Sequence, residues 1–114
     1  MRYMMFIKHT EDYRNKEVPA GLYEAMGEFV GEGLKKGLII DTAGLKPTSD
    51  AHRVRLSNRK ITVIDGPFVE SKELVGGFAI MELTGFDEAV EVCRTYAEIL
   101  GGTLEMDIRR VEPE

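Results

Sequence analysis

The sequence predicts an α+β fold in which two helices cover one face of an antiparallel sheet. Two segments, residues 20–36 and residues 85–100, repeat apolar side chains at the spacing of an amphipathic helix. Two shorter runs, residues 3–7 and residues 78–83, are apolar at consecutive positions and are typical of strands buried on both faces. The other apolar segments are short, and glycines, prolines and polar turns separate them.

The first half of the chain supplies a strand, a helix and the start of a second strand. Polar residues 10–19 follow the first strand and are typical of an exposed loop. The first helix is predicted to end at Gly37, where glycine supplies a left-handed cap, and the next strand breaks at Gly44 and Pro47. Three glycines inside this helix either indicate close approach of another backbone or are simply tolerated there.

An alternating pair of strands follows. In residues 52–56 the alternation predicts that Val54 and Leu56 point inward and that the arginines point outward. Residues 57–59 are predicted to form a tight turn, and residues 60–64 return as the second strand. We therefore expect a hairpin added to the main sheet.

The last part of the chain adds a helix and a strand. Thr84 and Asp87 resemble a capping box at the start of the second helix. Cys93 lies on the apolar stripe of that helix, so we expect a buried and unreactive thiol. Residues 103–111 alternate as the final strand. The predicted order is β-α-β-β-β-α-β, a ferredoxin-like plan with an added hairpin.

The predicted sheet has one apolar face more than its helices can cover. Two helices cover a single face, yet residues 3–7 and residues 78–83 are apolar on both faces. A second copy of the chain, laid sheet to sheet, is the economical cover for the other face. We therefore expect a homodimer.

The composition of the chain limits the classes of molecule that we expect it to bind. The chain has 114 residues, which predicts one domain spanning residues 1–114, and its net charge is −5. That charge argues against direct binding of nucleic acid or of an anionic membrane. Four basic residues lie close together in the predicted hairpin: Arg53, Arg55, Arg59 and Lys60. A solvated strand face explains them more simply than a binding patch.

Cysteine usage and hydropathy bear on location. The single cysteine excludes an intrachain disulfide. The apolar run at the start of the chain is shorter than the core of a signal peptide, and no segment approaches the roughly 18 apolar residues of a membrane span. We expect a cytoplasmic protein.

Residues 65–73 connect two predicted strands and hold a dense set of functional groups. Asp65 can cap its own turn, and the Gly-Pro pair after it restricts the backbone. Phe68 is the one large apolar side chain, while Glu70 and Lys72 share a face of an extended chain. The connection is therefore either a rigid hairpin with a solvated tip or the frame of a ligand pocket lined by these side chains.

The same connection carries a family resemblance. The pattern D-G-P-F, then E-x-K-E and a G-G-F strand, resembles the DGPF group of the YCII-related family. The likeness extends over nearly the whole chain, at residues 1–4, 43–47, 88–89 and 105–109. It implies a ferredoxin-like fold of the dimeric α/β-barrel type without implying a settled function. Members of the group are found with extracytoplasmic-function sigma factors, so the resemblance also implies a regulatory association of that kind.

The histidines are the candidate acid–base groups. His9 ends the first strand, and if it shares a sheet end with Asp65, the two could form an imidazole–carboxylate pair that acts as a general base. His52 has the simpler interpretation of a strand-start residue. Enzymes of the wider family use a His–Asp pair, and the position that resembles their histidine here is Met26. That departure argues against the family mechanism.

Three functions follow as hypotheses. The first is a small-molecule-binding homodimer, with a regulatory role as one version, whose pocket contains Asp65, Phe68, Glu70 and Lys72. The second is a small lyase or hydrolase that uses Asp65 with His9 or Lys72. The third is a purely structural dimer. The sequence shows no metal-ligand spacing and no phosphate-binding glycine loop, so we expect no metal and no cofactor.

Overall fold

The structure, a computed structural model, describes residues 1–9, 21–68, 74–101 and 104–112, and of His9 and Leu74 it describes the backbone alone. These ranges contain six strands and two α-helices. In chain order they are β1 (Arg2–His9), α1 (Leu22–Lys36), β2 (Ile39–Gly44), β3 (His52–Ser57), β4 (Lys60–Asp65), β5 (Leu74–Glu82), α2 (Phe86–Leu100) and β6 (Glu105–Arg110). A short 3₁₀ helix, Thr48–Asp50, precedes β3. The α+β class is confirmed. Four strands, β2 to β5, lie between the helices, one more than the predicted order contains, because the hairpin contributes two of them.

The main sheet has four antiparallel strands in the spatial order β2-β5-β1-β6. The two central strands, β1 and β5, are the two runs that the sequence marks as apolar on both faces. With the β3–β4 hairpin set aside, the chain follows the β-α-β-β-α-β plan of ferredoxin-like folds. Strands β3 and β4 pair only with each other and form a separate two-stranded sheet.

The core lies between the main sheet and the two helices. Its buried side chains are Tyr3, Met5, Ile39, Ala79, Met81, Leu83, Ala89, Cys93 and Tyr96. Edge-to-face aromatic pairs join the layers: Tyr3 contacts Phe86 with ring centroids 4.8 Å apart, and Phe29 of α1 contacts Tyr96 of α2 at the same distance. The burial of Cys93 is confirmed, and it raises the pKa of that thiol to about 11.

The opposite face of the main sheet is also apolar at its centre. Met4 pairs with Ile80 and Phe6 pairs with Phe78 across β1 and β5. These four side chains alternate with buried core residues along each strand, so they point away from both helices. They are half-buried. The second apolar face that the sequence predicts is therefore present.

Glycine and polar groups set the helix ends. Gly37 ends α1 in the left-handed conformation with φ 76°, as predicted. Of the three glycines within α1, Gly33 is the one in close contact, because a Cβ there would lie 2.5 Å from the Ile39 side chain. At the start of α2 the predicted capping partner is wrong: the Thr84 N–H donates to the Glu88 carboxylate at 3.1 Å, and Asp87 does not close the turn. Glu88 lies one residue further along the helix and reaches back over its first turn.

The hairpin differs most from its prediction. Its turn uses Asn58 and Arg59, both in the left-handed region with φ 50° and 65°. The prediction that Val54 and Leu56 point inward is wrong, since these side chains are 67% and 70% exposed. The hairpin pairs with no strand of the main sheet, so its apolar face covers no part of the core.

Candidate functional site

The base of the hairpin is fixed against the 3₁₀ helix that precedes it. The Gly66 N–H donates to the Ala51 carbonyl at 2.8 Å, and the Phe68 N–H donates to Thr48 Oγ1 at 3.1 Å. A Cβ at Gly66 would overlap the Thr48 carbonyl oxygen, so only glycine fits here. The Gly66–Pro67 peptide bond is cis. Residues 65–68 are thus held in one backbone conformation by contacts with residues 48–51.

A histidine and an aspartate meet at this base. The register of the hairpin places His52, the first residue of β3, opposite Asp65, the last residue of β4. Their side chains form a hydrogen bond of 2.8 Å between His52 Nδ1 and Asp65 Oδ1. The side chains are 70% and 82% exposed, so the pair faces solvent in a single copy of the chain.

The geometry of this pair has a chemical consequence. A carboxylate at Nδ1 holds the proton of a neutral imidazole on that nitrogen and orients the ring. The other ring nitrogen, Nε2, is then an acceptor that can take a proton from a bound molecule. The arrangement can therefore bind a hydrogen-bond donor, or act as a general base once a substrate lies within hydrogen-bond reach.

A second interaction lies on the other side of the hairpin. The Arg53 guanidinium carbon lies 4.1 Å from the centre of the Phe68 ring, which is a cation–π contact. Because His52 and Arg53 are successive residues of β3, their side chains point to opposite faces. Phe68 therefore contacts the basic face of the hairpin, while Asp65 belongs to the apolar face.

The structure gives Asp65 a different imidazole partner from the one that the sequence suggested. Its partner is His52, whereas the backbone of His9 pairs with Leu74 at the end of the main sheet. The side chain of His9 lies outside the described part of the chain, and so do Glu70 and Lys72. The prediction that these residues share a pocket with Asp65 and Phe68 stays a prediction.

A signal for the His52–Asp65 pair was present in the sequence. A two-residue turn at Asn58 and Arg59 pairs Ser57 with Lys60, and the antiparallel register then pairs each earlier residue with a later one. Counting five pairs down from the turn brings His52 opposite Asp65. The length of the turn is therefore the information that predicts His52 to lie opposite Asp65.

Residues 1–9, 21–68, 74–101 and 104–112 contain no group of three His, Cys, Asp or Glu side chains placed to hold a metal ion. In the same ranges neither helix is long and apolar enough to cross a membrane.

The fold and the site define a class: a small α+β protein whose inserted hairpin carries a His–Asp pair. The chain matches the YCII-related domain over residues 1–111 and therefore belongs to the YCII-related family. It is also similar to an uncharacterised protein of Rhizobium meliloti (strain 1021), with 32% identity over 76 residues. That alignment covers 67% of this chain and 61% of the relative, so the chain spans less than two thirds of the length of the relative it matches.

Proposed function

We propose that this protein is a homodimer that binds a small polar molecule at the base of the β3–β4 hairpin. The observation that carries the proposal is the 2.8 Å bond between His52 and Asp65 beside a backbone segment fixed by Gly66. A rigid backbone holds the polar groups in place, so little ordering entropy is lost when a ligand binds. Glu70, Lys72 and His9 complete the site in this proposal, as their positions in the sequence suggest.

The dimer part of the proposal rests on the face of the main sheet that points away from the helices. Its centre is apolar, with Met4 and Phe6 of β1 beside Phe78 of β5. Lys8 and Asp107 form an ion pair of 3.0 Å at the same face. An apolar centre with a polar rim is the usual anatomy of a protein–protein interface, and a stable one buries about 800 Å² on each partner.

Ligand binding can be tested by thermal unfolding in the presence of a metabolite library. A compound that binds only the folded state adds about 2.7 kcal/mol of stability at 100 times its Kd. We expect Asp65→Asn and His52→Gln to weaken binding of any such compound by tenfold or more. Asp87→Asn, which removes an exposed carboxylate of α2, is the matched control and should leave binding unchanged.

The test has a result that would sink the proposal. If a compound binds the wild type and both hairpin variants with equal affinity, the ligand site lies elsewhere. A library that gives no stabilisation of the wild type, repeated at a concentration where sedimentation shows the dimer, would argue for the purely structural dimer.

Acid–base catalysis is the second candidate, and the orientation of His52 favours it. With Nδ1 bound to Asp65, the Nε2 atom is positioned to accept a proton, as a small lyase or hydrolase requires. In this candidate His52 takes the role that the sequence suggested for His9, and Lys72 remains the alternative partner of Asp65. Conversion of a bound compound by the wild type, lost in His52→Gln and lowered in Asp65→Asn, would favour catalysis over binding alone.

Two finer expectations from the sequence also stay predictions. The regulatory association with a sigma factor rests on the resemblance to the DGPF group, and the cytoplasmic location rests on composition. Ligand-dependent co-sedimentation of the purified protein with an extracytoplasmic-function sigma factor would test the first of these.

A further inference from the structure

One face of the hairpin is an exposed aliphatic surface. Its members are Val54, Leu56, Ile61 and Val63, with exposed fractions of 67%, 70%, 65% and 62%. Val54 pairs directly with Val63 and Leu56 pairs with Ile61, so the four side chains form two adjacent rungs on one side of the hairpin. We name this surface the arm face. His52 and Asp65 form the rung next to it on the same side.

An arm of this kind is poorly stabilised by itself. A two-stranded hairpin is at best marginally stable in water unless its apolar face packs against another strand or a helix. The strands β3 and β4 belong to a sheet of two, and none of their side chains joins the core cluster. The arm face therefore has the exposure and apolar composition of a surface that becomes buried in an interface.

Charge favours a second copy as the partner. The segment His52–Asp65 holds four of the fifteen Lys and Arg residues and one of the twenty Asp and Glu residues, which gives it a charge of +3. Because the whole chain carries −5, the remainder carries −8. The charge of the arm is thus opposite to that of the body of another copy. Because Arg53, Arg55 and Lys60 lie on the face of the hairpin opposite the arm face, this difference in charge steers association over a distance and does not act inside the proposed contact.

We propose that the arm face docks on the body of a second copy of this chain and that the partner then covers the His52–Asp65 pair. The proposal takes the homodimer of the proposed function as given and adds that each site is complete only in the dimer. The reason is geometric: the pair lies on the same side of the hairpin as the arm face, one rung away. A subunit that covers Val54 and Val63 borders this pair and displaces bulk water from it.

Solvent exclusion is what the site lacks in one copy. His52 and Asp65 are 70% and 82% exposed there, and a polar pair in open water has little electrostatic effect on a ligand. A wall supplied by the partner would lower the local dielectric constant and strengthen every hydrogen bond to a bound molecule. Dimerisation would therefore be a condition for ligand binding as well as for stability.

Two adjacent positions of β4 give a matched test. Ile61 belongs to the arm face, and Thr62 is an exposed residue that points to the other side of the same strand. Ile61→Asp places a charge in the proposed interface, while Thr62→Asp introduces the same group outside it. By sedimentation equilibrium, we expect Ile61→Asp to raise the dimer dissociation constant at least tenfold and Thr62→Asp to change it less than threefold.

The outcomes separate this proposal from the one on which it rests. A wild-type protein that is monomeric at micromolar concentration overturns both the homodimer and the docking of the arm. A wild-type dimer that Ile61→Asp and Thr62→Asp leave equally tight overturns the docking of the arm alone, and the sheet-face dimer stands. A wild-type monomer that binds anionic vesicles, with binding lost in Ile61→Asp, assigns the arm face to a membrane surface and also overturns the proposal.

Chemical modification of His52 tests whether the partner covers the pair. His9→Asn leaves His52 as the one histidine of the chain, so diethylpyrocarbonate then reports on that ring alone. We expect the dimer to react several-fold more slowly than the Ile61→Asp variant in the same background. Equal rates in a protein that sedimentation shows to be dimeric would mean that the pair stays open to solvent.

Discussion

The main sheet and the hairpin contain similar aliphatic residues, but those of the main sheet are buried and those of the hairpin are exposed. Leu83 follows β5 and is 4% exposed, whereas Leu56 of β3 is 70% exposed. Both occur in segments whose apolar residues are typical of strands. The difference lies in the neighbours: β5 has a strand on each side and helices above it, while β3 pairs with β4 alone. Burial in this molecule therefore depends on sheet membership, which the alternation of residues does not reveal.

The largest expected effect is the contrast between these two leucines. Leu83→Ala removes buried methyl groups and should lower the free energy of unfolding by about 2–5 kcal/mol. Leu56→Ala should lower it by less than about 0.5 kcal/mol in the monomer, because that side chain is mostly in water already. Urea unfolding at two protein concentrations measures both losses of unfolding free energy. A loss for Leu56→Ala that grows with protein concentration would place Leu56 in the dimer interface. Equal costs in dilute protein would contradict the comparison.

Alkaline pH should weaken the core before it affects the hairpin. Burial raises the pKa of Cys93 from 9.0 to about 11, and it raises the pKa of Tyr96 as well. Between pH 9 and pH 11 the unfolded thiol loses its proton while the folded one keeps it, so stability falls as pH rises through this range. The loss from Cys93 should be at most about 3 kcal/mol.

Cys93→Ala is the variant that isolates this effect. It costs some packing at every pH, but it should flatten the dependence of the unfolding free energy on pH in the alkaline range. An unchanged slope would show that the thiol does not titrate differently in the folded and unfolded states. Native-state labelling with a thiol reagent should also be slow at neutral pH, because the reactive thiolate is scarce there.

The junction between the two regions should be sensitive to a single methyl group. Gly66→Ala places a Cβ against the Thr48 carbonyl oxygen, and overpacking of this kind typically costs about 1–3 kcal/mol. Gly31→Ala is the matched control, since a Cβ at that exposed helix position meets no atom within 4 Å. We expect the control to raise stability by about 0.5–1 kcal/mol through helix propensity. Thermal unfolding of the two variants should therefore move in opposite directions.

The smallest expected effect on folding stability is that of a substitution in the His52–Asp65 pair. An exposed His–Asp pair contributes under about 1 kcal/mol to folding, so His52→Gln should unfold almost like the wild type. Any larger loss of ligand binding or turnover in that variant then reports on function. A stability loss comparable to that of Leu83→Ala would instead make the pair a structural contact of the hairpin.

Much of the fold could be predicted because local signals agreed with one another. The sequence predicts helix α1 over residues 20–36, and the helix occupies Leu22–Lys36, since its apolar spacing and its Gly37 cap indicate the same end. The central strands were identified by apolar runs that only a buried strand explains. The capping partner at Thr84 was missed because Glu88 lies one residue beyond the position where the capping pattern expects a carboxylate.

The site was harder to predict because it depends on pairing between distant residues. The structure pairs Asp65 with the imidazole of His52, whereas the prediction of a pair with His9 assumes that two strand ends lie together. The actual partner follows from the register of the hairpin, which the turn at Asn58 and Arg59 determines. The exposure of Val54 could not be predicted from alternation, since alternation shows that a strand has an apolar face without showing what that face contacts.

The tight turn of the hairpin also constrains how homologous arms can change in length. Strand residues alternate between faces, so one extra residue in β3 or in β4 would bring every later side chain of that strand to the opposite side. The aliphatic rungs would then mix with the basic residues, and His52 would no longer lie opposite Asp65. Insertions and deletions that keep both faces must add or remove whole rungs in pairs, two residues from each strand. Among relatives that keep the two-residue turn and retain the His–Asp pair on the side of the aliphatic rungs, the distance in sequence between these two residues should therefore vary in steps of four.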